Sequence, residues 1–154
     1  MEHPLIIFEE EIQKRKKIAI DNLKKVTEDG LYLQHIKKQT PDICLAAVQQ
    51  NGHALWYVKH QTPEIFMAAV TQNGYALMYV KEQTPEICLA AVTQNGYALM
   101  YVEQQTPELC MAAVTQDDDA IRFVEEKTPE MLIMIEKNPK IKNLFSPTGM
   151  FFLN

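Results

Sequence analysis

The chain contains no apolar run approaching the roughly 20 residues a membrane-spanning helix needs. Its opening Leu5-Ile6-Ile7-Phe8 gives way to Glu9-Glu10-Glu11 and not to a small-residue cleavage site. Neither a span nor a secretory leader is expected, and a cytoplasmic location is the default reading. Cysteine is scarce: Cys44, Cys88 and Cys110 are odd in number and lack CxxC spacing, which argues against a disulfide framework and a zinc site. All three share one position of a repeat whose other copies carry Phe66 and Leu132. That position is expected to select buried apolar bulk and to hold reduced, inert thiols.

Chemistry-bearing motifs are missing as well. There is no Gly-rich phosphate loop, no Ser or Cys nucleophile motif and no paired-carboxylate signature, so the chain does not read as an enzyme and no cofactor is expected. A basic stripe is also lacking. The formal net charge is −5, and residues 105–126 hold one basic side chain against six acidic ones. Direct binding to phosphate backbones is disfavoured for such a surface. The one basic cluster, Lys14-Arg15-Lys16-Lys17, directly follows Glu9-Glu10-Glu11 on a predicted helix and reads as a solvated, self-compensating face.

What the sequence does have is a period. Thr-Pro recurs at 40–41, 62–63, 84–85, 106–107 and 128–129, and the glycine of an Asn-Gly or Asp-Gly pair recurs at 30, 52, 74 and 96, each series in steps of 22. A fixed period in the range of about 20 to 50 residues marks a stacked array. In Thr62-Pro63-Glu64 the hydroxyl can cap the first free amides, the proline sits where its missing N–H costs nothing, and the glutamate meets the positive end of the helix dipole. A first helix follows through Ile65-Phe66-Met67-Ala68-Ala69-Val70, with Ile65, Phe66, Ala69 and Val70 on one face. Asn73-Gly74 is expected to end it, the glycine through a left-handed turn and the asparagine as the next cap. A second helix over Tyr75–Val80 turns Ala76, Leu77 and Val80 inward until the next Thr-Pro stops it. Helices this short are marginal alone and survive by leaning on their neighbours.

The expected fold is therefore all-α: a right-handed or superhelical α-solenoid of paired short helices, forming a single domain over 1–154. An N-terminal capping helix over 4–28 precedes and overlaps repeats 17–38, 39–60, 61–82, 83–104 and 105–126; a degenerate C-terminal capping repeat covers 127–148 and a tail 149–154. The capping helix, with Glu10/Lys14 and Glu11/Arg15 pairs, is expected to shield the first open face. At the other end Asn138-Pro139 starts a last helix with Ile141, Leu144 and Phe145 inside, and Met150-Phe151-Phe152-Leu153 folds back as a cap or docks on a partner.

The motif Ile/Leu-Cys-Leu/Met-Ala-Ala-Val-x-Gln-Asn-Gly-x-Ala-Leu-x-Tyr-Val resembles the short helical repeats catalogued as domain of unknown function number four thousand one hundred and sixteen. The resemblance is strong over 39–126 and weak over 17–38 and 127–145. It implies a helical array of a kind found in bacteria, bacterial effectors and viruses, for which no activity is established, and it transfers no catalytic residue.

Histidines His3, His35, His53 and His60 are scattered, and His35 and His53 occupy positions that are tyrosine in other copies, so half-exposed aromatic sites are expected and not metal ligands. Asp117-Asp118-Asp119 replaces Asn-Gly-Tyr in the fifth repeat without the spacing of a calcium loop, and Asp117 reads as a helix cap. Two surfaces remain as candidate binding features. One is a stripe on the second helices, His53/Trp56, Tyr75/Met78 and Tyr97/Met100, made of residue types enriched at binding hot spots, with packing against the neighbouring repeat as its other reading. The other is an acidic patch of Asp117, Asp118, Asp119, Glu125 and Glu126. Together they predict a non-enzymatic protein-binding module, monomeric or weakly self-associating, with a basic protein as the expected partner, no membrane and no direct nucleic acid. Rival readings are a small acidic inhibitor, from a virus or pathogen, of a host nucleic-acid enzyme; a self-assembling scaffold; and, least supported, a small hydrolase or transferase.

Overall fold

A computed structural model describes residues 4–137, and all regular structure among them is helical. The α-helices are α1 (Pro4–Glu28), α2 (Pro41–Gln50), α3 (Pro63–Gln72), α4 (Pro85–Gln94), α5 (Pro107–Gln116) and α6 (Pro129–Lys137). Alternating with them are the 3-10 helices η1 (Gly30–His35), η2 (Gly52–Tyr57), η3 (Gly74–Tyr79), η4 (Gly96–Tyr101) and η5 (Asp118–Phe123). The last predicted helix from Asn138-Pro139 and the Met150–Leu153 tail lie outside the described residues.

The repeat array is as the period predicts, with one local correction. The second helix of each unit is a 3-10 helix and not an α-helix. In η3 the Ala76 amide donates to Asn73 O at 2.8 Å and the Val80 amide to Leu77 O at 3.1 Å, both i to i−3. Six residues held between an asparagine cap and a Thr-Pro stop are short enough for that tighter winding, which puts side chains three apart in one row. Leu77 and Val80 accordingly face inward together, at 0% and 6% exposure.

The first helix starts as its capping residues dictate. Thr62 is extended, its Oγ1 accepts from the Ile65 amide at 3.4 Å, and Pro63 occupies the first turn. In later copies the glutamate carboxylates accept from their own backbone amides and from the Thr84, Thr106 and Thr128 hydroxyls, which holds Glu86, Glu108 and Glu130 below the ordinary carboxylate range.

Glycine plays a different part from the one expected. None of the described glycines has a positive φ. Asn73, extended at φ −152°, serves as the C-cap of α3 and the N-cap of η3, so no left-handed residue is needed. Gly74 is instead where the next repeat sits: a Cβ there would lie 2.5 Å from Ala91 O on α4. Its amide donates to Gln94 Oε1 at 2.6 Å. The same bond joins Gly30 to Gln50 and Gly52 to Gln72.

Packing is serial. Each α-helix rests on the next from α1 to α5, each 3-10 helix on its neighbours, and η1 to η4 each on the following α-helix. The core is one continuous column, to which the copy 61–82 contributes Ile65, Phe66, Ala69, Val70, Ala76, Leu77 and Val80. Each fully buried Ile, Leu, Val or Phe contributes about 1.5–3 kcal/mol, which these short helices cannot supply alone.

The N-terminal helix corrects a second expectation. Among residues 8–21 of α1 every side chain except Ile12 is exposed, Phe8, Ile18 and Ile20 at 64%, 51% and 70%, and among the described side chains of the helix only Val26 is buried. The helix does not shield the first face. That face is closed by polar substitution, because Asp21, Asn22 and Lys25 stand where the next copy has Ile43, Cys44 and Ala47. Lys25 Nζ pairs with Asp21 at 2.7 Å and lies 5.2 Å from the Tyr32 ring centroid. Of the predicted i, i+4 pairs, Glu11–Arg15 is present at 2.9 Å.

Candidate functional site

The stripe on the 3-10 helices divides into two rows. Its first members, His53, Tyr75 and Tyr97, are half-buried against the next repeat. The His53 ring meets Tyr79 edge-on at 6.0 Å, Tyr75 meets Tyr101 at 6.1 Å and Tyr97 meets Phe123 at 5.5 Å. Asn73 Nδ2 and His53 Nε2 lie 3.0 Å apart, and Tyr97 donates its hydroxyl to Asp119 Oδ2 at 3.4 Å. Partial burial, then Asp117 and Asp119, push the Tyr97 phenol above its ordinary range.

Its second members point outward. Trp56, Met78 and Met100 are 67%, 47% and 49% exposed. The Trp56 ring stands 5.4 Å from Tyr79, so the exposed indole is backed by the same tyrosine that holds His53. Tyr79, Tyr101 and Phe123, which pack on the core, are the residues the sequence reading did not assign to the stripe. Their signal is an aromatic one residue after the exposed position in successive copies.

The acidic patch divides similarly. Asp117 caps η5, accepting from the Asp119 amide at 2.9 Å, and Asp119 pairs with Arg122 at 3.6 Å. Asp118 is half-buried at the position glycine holds in the earlier copies. Glu125 and Glu126 are exposed on the bend that follows. Among the described residues no three His, Cys, Asp or Glu side chains gather as metal ligands, and no helix is long and apolar enough to cross a membrane.

The cysteines are buried, as expected, and do more than fill space. Cys88 and Cys110 Sγ each donate to the Oε1 of Gln83 or Gln105 at 3.4 Å, and Cys44 to that of Gln39 at 3.7 Å. Each of these glutamines also accepts from the amide of Lys59, Glu103 or Glu125 and donates to the carbonyl of Tyr57, Tyr101 or Phe123. In the copy where Phe66 replaces cysteine, no S–H donor is present and Gln61 turns back to Leu55 O. Its enclosed Oε1 has no hydrogen-bond partner among the described residues. Burial pushes the Cys44, Cys88 and Cys110 thiols up, away from the reactive thiolate.

The opposite face, made by the outer sides of the α-helices, has open grooves between consecutive helices. The α2/α3 groove, about 580 Å³, is lined by Leu45, Gln49, Glu64, Met67, Ala68, Thr71 and Gln72. It offers one carboxylate and no converging set of acid, base and nucleophile. No family model, curated protein or solved structure matches the chain. The likeness of residues 39–126 to the repeat family of unknown function therefore rests on the motif residues alone.

Proposed function

We propose that the chain is a non-catalytic protein-binding module that presents Trp56, Met78 and Met100 as anchors and Glu125 and Glu126 as acidic flanking groups to a basic partner protein. The observation that carries this reading is Trp56: a tryptophan 67% exposed and braced by Tyr79 at 5.4 Å. A large apolar side chain held in place before binding loses little freedom on docking, and tryptophan leads the residues found at hot spots. The two methionines continue the row along successive repeats and adapt to irregular surfaces. An inhibitor that works by acidity alone has less support, because Asp117 and Asp119 are already engaged by the cap, Tyr97 and Arg122.

Affinity capture from the native host identifies the partner, and titration calorimetry with that purified partner tests the reading. Trp56→Ala is expected to weaken binding at least tenfold, and reversal of Glu125 and Glu126 to lysine to weaken it further and flatten its salt dependence. Unchanged affinity in both variants contradicts the proposal.

A further inference from the structure

The bends between each 3-10 helix and the next α-helix carry two exposed residues apiece: Lys37-Lys38, Lys59-His60, Lys81-Glu82, Glu103-Gln104 and Glu125-Glu126. With histidine neutral, their formal charges read +2, +1, 0, −1 and −2 along the array. The bends form one edge. Lys59 Nζ donates to Lys37 O at 2.8 Å across the first two, and the glutamine bridges tie the Lys59, Glu103 and Glu125 amides at 3.0–3.1 Å. The edge is thus a ladder of evenly repeated rungs whose charge changes sign at its centre.

We propose that this edge pairs with the same edge of a second copy running antiparallel, about a two-fold axis beside Lys81 and Glu82. Lys37-Lys38 then meets Glu125-Glu126 of the second copy, Lys59 meets Glu103, and Lys81 meets Glu82, with every pairing repeated by symmetry. A parallel arrangement sets like charge against like. Because both copies share one 22-residue unit, all five rungs stay in register. End-to-end stacking is opposed at the first face by Asp21, Asn22 and Lys25, which stand where the next copy has Ile43, Cys44 and Ala47. The pairing shares Glu125 and Glu126 with the partner-binding surface but not Trp56, Met78 or Met100, so the two readings fail separately.

Sedimentation velocity of the purified full chain tests it. The expected result is a concentration-dependent dimer at an ionic strength of about 0.01 M, where charges act over about 30 Å, and a monomer at about 1 M, where they act over about 3 Å. The triple variants K37E/K38E/K59E and E103K/E125K/E126K are each expected to be monomeric, and their equimolar mixture to dimerise; Trp56→Ala leaves the dimer intact. With the native thiols buried, a single surface cysteine reports orientation: E82C cross-links to itself, and K38C to E126C but not to itself. A wild-type monomer at low salt, a dimer that survives either reversal or is lost with Trp56→Ala, or K38C self-linking overturns the proposal.

Discussion

At the scale of single residues, the array is held together by small groups placed where one repeat touches the next. Gly74 leaves room for the Ala91 carbonyl, and Gln94 returns to take the Gly74 amide. Adding one methyl group pushes against backbone, which has nowhere to retreat within a close-packed column. Gly74→Ala is expected to destabilise the chain by about 1–3 kcal/mol, read from urea unfolding midpoints, the cost typical of overpacking. The glutamines before Thr-Pro make a sharper comparison, because chemically identical residues sit in different networks. Gln83 joins Cys88, the Glu103 amide and the Tyr101 carbonyl, whereas Gln61 has lost that arrangement to Phe66. Gln83→Ala leaves the buried Cys88 thiol, the half-buried Tyr101 carbonyl and the Glu103 amide without this partner and is expected to cost about 1–3 kcal/mol; Gln61→Ala removes an oxygen that already lacks a partner and is expected to cost clearly less. Equal losses contradict the network. The recurrence of cysteine was plain in the sequence, but its thiol bond was not, because an apolar pattern cannot show which neighbour accepts from the sulfur.

At the scale of elements, Thr-Pro-Glu did what its chemistry requires, and every α-helix after the first begins at its proline. Glu86, Glu108 and Glu130 have carboxyls lowered in the folded chain by their amides and by the capping threonines. A lowered folded-state value means stability that is present above the unfolded glutamate value, about 4.3, and lost as pH falls through the folded one. The unfolding midpoint is expected to fall on acidification from pH about 6 to about 3, and the triple variant E86Q/E108Q/E130Q to show a smaller fall. An unchanged acid profile in that variant removes these caps from the account. The second helix was legible as an inward-facing apolar set and illegible as a 3-10 helix. Leu77 and Val80 are three apart, a spacing both windings satisfy, and six residues carry too few turns to separate a period of 3.0 from 3.6. Asn-Gly misled for a related reason. The dipeptide suits a left-handed turn, and only the position of the next repeat reveals that glycine is needed for proximity.

At the scale of the whole molecule, the repeat period foretold the order of packing but not the ends or the faces. The polar residues Asp21, Asn22 and Lys25 at apolar repeat positions mark a closed first face, yet the long apolar-charged α1 drew the reading toward a covering helix. The stripe was visible as residue types; which row faces out depends on Tyr79, Tyr101 and Phe123 filling the space beside it. Each 22-residue unit docks on its neighbours through the same buried set, so that units are interchangeable in number. Excising residues 83–104 joins Glu82 to Gln105 and recreates a junction in which Gly74 meets α5 as Gly96 does now. Circular dichroism of that deletion during urea unfolding is the most direct test. The shorter chain is expected to keep its helix content per residue and to unfold cooperatively at a lower midpoint, whereas removal of 83–93, half a unit, abolishes the transition. A whole-unit deletion that fails to fold, or a half-unit deletion that folds as well, contradicts that interchangeability.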